Sequence, residues 1–298
     1  MTSGQKQILC IGSVLWDVVG RTSVHMKAGA DVPGRITRLP GGVALNIAMT
    51  LARFGLAPTL LSAVGQDAEG HDLVAACAAL GVGTDHLYRS EDLPTDRYMA
   101  VEAANGLIAA IADAHSLETA GARILQPLSD GRLGTEAEPY RGAIALDGNL
   151  TLTLLEDIAA SPLFAAADLR IAPASPGKAT RLRPFLAHGR GILYVNREEA
   201  GHLCGTQFDT SRSAALALLE RGAERVLVTD GDRPCCDADA AGCEVQTPPE
   251  VMVTRITGAG DTFMAAHIAA ELDGADRATA LTRALDAAAA YVSGKTEL

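Results

Sequence analysis

Short, continuous apolar runs alternate along this chain with helix-length stretches, and that alternation restricts the fold more than any other feature. The runs occupy residues 7–12, 59–64, 143–147, 168–172, 191–195 and 225–229, each bounded by Gly, Asp or Pro. Residues 44–54, 68–80, 152–160, 213–221 and 261–272 lie between or after them and have the length and pattern of amphipathic helices. Strands that are apolar throughout must be covered on both faces. The pattern therefore predicts an α/β fold, a doubly wound, mostly parallel sheet flanked by helices. Ligands of such sheets sit beyond the carboxyl ends of the strands.

Two stretches break the rhythm. Residues 18–40 contain Gly20, Gly29, Pro33 and Gly34 without a helical period, and residues 97–112 carry Asn105-Gly106 between apolar flanks, a strong hairpin signal. They predict a small antiparallel β-sheet lid on a single domain spanning residues 1–298.

Composition excludes several function classes. The net charge is −11 and no Lys/Arg cluster stands out, so neither duplex nucleic acid nor an anionic membrane surface is the expected partner. Aromatic residues, at 4%, are too few for a surface that stacks many bases. The polar N-terminus runs directly into a strand-like segment that Asp17 interrupts, which predicts neither a leader nor a membrane span and implies a cytoplasmic, reducing location. None of the six cysteines forms a C-x-x-C pair. Cys235, Cys236 and Cys243 cluster, but Asp237 and Asp239 beside them look like hairpin-tip residues, and no further ligand of the usual kind is near.

Four constellations carry chemistry. Thr257-Gly258-Ala259-Gly260-Asp261-Thr262-Phe263 opens a helix-length run. Its glycines let the backbone approach a ligand, and the helix start presents unpaired N–H groups to an anion. Asp261 is placed to accept a proton from an attacking hydroxyl. The same heptapeptide is equally compatible with an ordinary glycine-rich turn capped by Asp261. Gly41-Gly42-Val43-Ala44-Leu45-Asn46 starts a second helix with Asn46 one turn in, where a partly buried amide needs partners such as ligand hydroxyls. Asp17 follows the first strand and can accept hydrogen bonds from two vicinal hydroxyls. Asn196 and Glu199, one helical turn apart after the strand at 191–195, can hold a hydrated Mg²⁺ beside phosphates. Gly294-Lys295-Thr296 only imitates a phosphate-binding loop, since Ala289 stands in place of its first glycine and only two residues follow.

Together these motifs resemble the ribokinase (PfkB) family along essentially the whole chain: Gly41-Gly42-x-Ala44-x-Asn46-x-Ala48 its N-terminal signature, Gly258-Ala259-Gly260-Asp261 its C-terminal one, and Asn196 with Glu199 its metal motif. The resemblance implies a ribokinase-like fold and transfer of the γ-phosphate of ATP to a substrate hydroxyl, with Asp261 as base and Gly258, Ala259 and Gly260 as the anion hole. It further implies that Asp17, Gly41, Gly42 and Asn46 bind the sugar, that Asn196, Thr229 and Gly231 lie by ATP, and that Mg²⁺ is held by Asn196 and Glu199 through water. A homodimer through the lid is also expected.

Within the family, Pro33-Gly34-Arg35-Ile36, Leu60-Leu61-Ser62-Ala63-Val64-Gly65, Thr95 with Tyr98, and Ile111 with Asp113 resemble the bacterial pseudouridine kinases. That adds Thr95 and Asp113 as expected substrate contacts and pseudouridine, phosphorylated at its 5′-hydroxyl, as the expected acceptor. The alternatives are a kinase for another nucleoside or sugar, and a catalytically silent nucleoside-binding relative. Three positions depart from the family pattern. Pro234 replaces a glycine on the nucleotide side, Ala172-Pro173 replaces an Asp-Pro, and Arg255 replaces an Asp at a site associated with a monovalent cation, which leaves dependence on K⁺ open.

Overall fold

The computed structural model describes residues 6–27 and 29–295; residues 1–5 of the polar N-terminus and Thr296 of the loop-like C-terminal motif lie outside them. The chain begins with β1 (Gln7–Ile11), leaves the main body through β2 (Leu15–Arg21) and β3 (Arg35–Gly41), and returns as α1 (Val43–Arg53) and β4 (Ala57–Leu61). A short β5 (Ala63–Gly65), α2 (Ala68–Ala79) and β6 (Tyr88–Ser90) lead to a second excursion, β7 (Arg97–Ala103) and β8 (Gly106–Asp113), which ends in α3 (His115–Ala120). Then follow β9 (Ala143–Asp147), α4 (Leu152–Ala160), β10 (Asp168–Ala172), α5 (Arg183–Ala187), β11 (Ile192–Asn196), α6 (Arg197–Cys204), α7 (Ser211–Glu220) and β12 (Arg225–Asp230). The hairpin β13 (Arg233–Asp239) and β14 (Gly242–Gln246) precedes the last two helices, α8 (Ala259–Leu272) and α9 (Arg277–Val292).

Eight strands form the central sheet in the order β14-β13-β12-β11-β10-β9-β1-β4, parallel except for the β13–β14 hairpin at one edge. Alternation divides its core in two. Leu9 and Ile11 join Ile144, Leu146, Ile171 and Val228 against α4 and its neighbours, while Ile8 and Cys10 join Tyr194 and Leu227 against α1, α2, α8 and α9. β4 and β9 flank β1 on opposite sides, so the winding reverses at β1 and opens a crevice beyond the ends of β1 and β9.

The two excursions meet as a four-stranded sheet, β3-β2-β7-β8, where the small sheet was expected; each excursion pairs antiparallel within itself, and the two are joined in parallel along β2 and β7. The sheet starts earlier than the sequence indicates, at Leu15, so Asp17 stands within a lid strand rather than beyond a strand of the main sheet. The predicted turn is present, with Gly106 opening β8 and the Asn105 side chain paired to the backbone of Met26. Asp96 holds the foot of the second excursion. Buried, it accepts from Ser116 N and Leu117 N at 3.0 Å each, and its carbonyl accepts from Trp16 N, which joins both lid halves at one point.

At the other end of the strands a cluster of charges lies under α8. Glu271 accepts from Arg170 of β10 and from Arg225 of β12, and Arg225 also pairs with Asp237 at 2.6 Å. Arg277 bridges Asp237 at 2.9 Å and Asp239 at 3.0 Å. Asp237 is fully buried inside β13, which corrects its reading as a hairpin tip. The same strand sends Cys235 and Cys236 to opposite faces of the sheet, Cys235 into one half of the core and Cys236 into the other. Among the described residues, no group of three or more His, Cys, Asp or Glu is arranged to hold a metal ion.

Candidate active site

Two helix N-termini meet over the crevice, each started by a glycine with positive φ: Gly42 at 100° before α1 and Gly258 at 88° before α8. A β-carbon at Gly42 would stand 2.4 Å from the carbonyl oxygen of Ser13, and one at Gly258 2.5 Å from the hydroxyl of Tyr291, so neither position accommodates a larger residue without displacement. Asp261 sits in the first turn of α8, which Gly258 rather than Asp261 caps; the plain-turn reading of the heptapeptide is thereby set aside. Gly260 N and Asp261 N have no partner among the described residues, and a β-carbon on Gly260 would meet nothing within 4 Å. Such a helix end can receive an anion.

Asn46, one turn into α1, donates from Nδ2 to Oδ2 of Asp261 at 2.9 Å. This contact ties the two signatures together across 215 residues of sequence. Asp261 keeps part of its surface open to the cleft, yet burial pushes its carboxyl up to about 7, with the charges of Asp147, Glu199 and Asp17 adding to the rise and the Asn46 bond opposing it. Burial also pushes Asp17 up to about 6. A carboxyl that titrates near neutrality is matched to taking a proton from a hydroxyl.

A network that the sequence did not single out forms the floor of the crevice. Asp147 ends β9 fully buried and accepts from Ser13 N at 2.8 Å, from the Ser13 hydroxyl, from Asn149 N at 2.8 Å and from Asn149 Nδ2 at 3.2 Å. The Ser13 oxygen in turn accepts from Val43 N, the first helical N–H of α1, at 2.9 Å. Lys178 closes the chain by donating to Asn149 Oδ1 at 2.6 Å. The network's sequence signals are a polar Asp-Gly-Asn directly after an apolar strand and a lysine after Pro-Gly following the next one.

The remaining candidates are placed as follows. Gly41 ends β3, opposite Leu15. Thr229 lies beside Asn196 on adjoining strands, and Gly231 makes the turn into β13, so this group gathers on the α6 side of the sheet. Asn196 and Glu199 share a reciprocal cap, Glu199 N donating to Asn196 Oδ1 and Asn196 N to Glu199 Oε2, both at 2.8 Å. One carboxylate oxygen of Glu199 is left free of that cap, and burial pushes the group up to about 7.

Thr95 is buried at the lid foot, its hydroxyl and N–H both given to Asp67, the residue that caps α2. Asp113 pairs across the lid with Arg97 and Trp16, whereas Asp17 pairs with Leu39, Tyr98 and, through it, Ala112. Directly opposed residues share a face, so Asp113 lies on the face away from Asp17, where His115 contacts it at 2.8 Å. Tyr98 is the polar side chain that shares the Asp17 row. Arg255 lies flat over the Tyr291 ring at 3.8 Å, its Nε donating to the Tyr291 carbonyl oxygen, and Tyr291 donates its hydroxyl to Thr257 at the start of the anion loop.

The model of the pfkB family carbohydrate kinases matches residues 5–296. The chain is 28% identical over 279 residues to the uncharacterized sugar kinase YeiI of Escherichia coli K12, covering 91% of this chain and 74% of that protein. It is 27% identical over 272 residues to the pseudouridine kinase of the same organism, covering 90% and 84%. Among solved structures, a carbohydrate kinase from Agrobacterium tumefaciens superposes with a TM-score of 0.81 at 25% identity over 98% of this chain and 94% of the other. Arabidopsis thaliana ribokinase, complexed with ribose and ATP, superposes with 0.77 at 20% identity over 97% and 92%.

Proposed function

This chain belongs to the pfkB family of carbohydrate kinases and is a phosphotransferase with an alcohol group as acceptor; within that class we propose that it moves the γ-phosphoryl group of ATP to the 5′-hydroxyl of a ribonucleoside, pseudouridine before others. The observation that carries the reading is the Asn46–Asp261 pair between two glycine-started helices. Asn46 fixes one oxygen of Asp261 and leaves the other for the attacking hydroxyl. Asp17, on the lid strand above, accepts from two vicinal hydroxyls of the ribose, with Gly41 and Gly42 lining the approach. As the proton passes to Asp261, the free N–H groups of Gly260 and Asp261 receive the charge on the phosphoryl oxygens.

ATP lies toward Asn196, Thr229 and Gly231. Mg²⁺, when bound with ATP, neutralises phosphate charge; Asn196 and the free oxygen of Glu199 would hold it through water, a role that suits one carboxylate oxygen but not a full ligand set.

The acceptor is argued from kinship. Proteins named pseudouridine kinase in Escherichia coli and Arabidopsis thaliana resemble this chain at 27% and 26% identity, beside a ribokinase of Mus musculus at 25%. The test is kcat/KM for pseudouridine, uridine, cytidine, adenosine and ribose at one ATP–Mg²⁺ concentration. Pseudouridine should lead uridine by about 10- to 10³-fold, within the range for a site that hydrogen-bonds a group its rival lacks. A higher value for ribose or adenosine overturns the choice of acceptor.

The lid face opposite Asp17 exposes Ile36, Met99 and Ile111, a surface suited to a second copy of the chain, and a sedimentation measurement at micromolar concentration tests that dimer. A cytoplasmic location fits the free cysteines, and among the described residues no helix is long and apolar enough to cross a membrane.

A further inference from the structure

Lys178 occupies an unusual position for a lysine. It lies in the segment after β10, half-buried, and its side chain makes one hydrogen bond among the described residues, to Asn149 Oδ1. An ammonium group has three donors, so two are unused. The obvious partner for them is the Asp147 carboxylate next to Asn149. Yet Asp147 already accepts four hydrogen bonds, from Ser13 and Asn149, and Lys178 makes no ion pair with it. Burial and the neighbouring Arg181 guanidinium both depress the Lys178 pKa, while Asp147 and Glu118 support its charge. The rest of this half-buried ammonium is open to solvent, so a ligand oxygen can replace water on the two remaining donors.

Its location identifies the ligand's side of the cleft. Through Asn149 and Ser13, three short contacts connect the Lys178 ammonium to the first N–H of α1, the helix that carries Asn46. On its other flank Arg181, one turn along, faces Glu118 of α3 at 3.7 Å, and α3 directly follows lid strand β8. Lys178 is thus bracketed by the acceptor crevice and the foot of the lid; its segment also packs against α6, and β11 stands between β10 and the strand that carries Thr229.

We propose that Lys178 is an acceptor-binding residue: it donates to an oxygen of the acceptor remote from the hydroxyl that is phosphorylated. This rests on the nucleoside reading above for the identity of that oxygen, which in a pyrimidine nucleoside is a ring carbonyl of the base. The recognised chemistry is a ribose whose far end carries a flat group with a carbonyl oxygen, held between Lys178 and the Asp17 face of the lid, where Tyr98 stands.

The experiment uses Lys178→Met, which keeps the stem and removes the donors, with Lys178→Arg as the charge-retaining control. Steady-state KM and kcat are measured for pseudouridine, ribose and ATP, with melting temperature as the folding check. For Lys178→Met the KM for pseudouridine should rise about 10- to 100-fold, as expected for losing a charged hydrogen bond, while the KM for ATP stays within about twofold and ribose loses less than about threefold. Lys178→Arg should recover part of the loss. Equal losses on pseudouridine and ribose, a fall in kcat with KM unchanged, or a rise in the KM for ATP each overturn the proposal. If the native protein phosphorylates ribose and refuses pseudouridine, the nucleoside reading fails by itself. The KM for ribose then decides: a tenfold rise in Lys178→Met with ATP unaffected upholds Lys178 as an acceptor contact, and an unchanged KM removes it.

Discussion

The two helix starts over the crevice share a design and differ in how they are finished. At α1 the protein meets most of its own backbone: Val43 N donates to the Ser13 hydroxyl and Leu45 N to the Ser13 carbonyl, and of the first three N–H groups Ala44 N is left without a partner among the described residues. At α8 it does not, since Gly260 N and Asp261 N are left without partners among the described residues. In the proposed reaction the first turn delivers Asn46 and lines the acceptor's approach, and the second receives the charged group. Similar local chemistry is thus finished differently at the two helix starts, and the distinction lies in what faces each turn.

Substitutions should separate the two. Asp261→Asn should have the largest effect, lowering kcat by about 10²–10⁴ with acceptor KM little changed, as for loss of a positioned base; a correctly folded variant with near-native kcat would contradict the assignment. Gly260→Ala adds a methyl in open space at the unfinished turn, so its melting temperature should be unchanged while kcat falls about 10- to 100-fold through displacement of the phosphoryl group. Gly42→Ala should do the reverse at the finished turn. Its positive φ and the 2.4 Å approach to Ser13 should destabilise the fold by about 2–4 kcal/mol, read by urea unfolding, with kcat close to normal in the folded fraction. Should Gly42→Ala abolish kcat at native stability, the division of labour is wrong.

The pH dependence follows from the same pair. Asp261 must be ionised to act, so kcat/KM should rise about tenfold per pH unit below about 7 and then level. Stability moves the other way. A carboxyl raised by burial stays protonated in the folded chain after the unfolded chain has released its proton, so the fold weakens as pH rises from about 4 to about 7 and levels above that. The melting temperature of Asp261→Asn relative to the native protein should therefore increase from pH 5 to pH 8, by about 2–4 °C. The smallest expected effect concerns Arg255, clamped over Tyr291 behind the anion loop. With a permanent cation there, replacing K⁺ by a bulky organic cation at equal ionic strength should change the rate less than about twofold.

Both glycine turns were legible in the sequence because their meaning is local: a glycine pair ahead of an apolar helical run specifies a helix start wherever it folds. Asn46 was legible for the same reason, whereas Asp17 was picked out as a carboxylate near a strand end and stands inside a lid strand. The misplacements have one common origin, which is that parity and partnership are not local. Asp113 was assigned to the acceptor, but it is one residue from Ala112, and a shift of one residue along a strand reverses the face. Thr95 lies at a lid foot where a hydroxyl is consumed by Asp67, a partner 28 positions earlier. Asp237 has the composition of a turn residue, and only its distant partners Arg225 and Arg277 keep it inside a strand. Asp147 and Lys178 had only weak local signals, a polar Asp-Gly-Asn and a lysine after Pro-Gly, and that the two separate strand ends face one crevice is set by the sheet order.

The charge cluster under α8 limits how this sequence can drift. Arg170, Arg225 and Arg277 share Glu271, Asp237, Asp168 and Asp239 among them, so that no acidic member except Asp168 and Asp239 has a single partner. Removing one side of such a buried arrangement costs about 3–5 kcal/mol, because the charge left behind stays buried, whereas exchanging several members together for apolar residues is often neutral. Descendants of this chain can cross that valley only by coordinated change. Related sequences should show Arg170 and Glu271 present together or absent together, an inheritance pattern independent of whichever acceptor the crevice has come to favour.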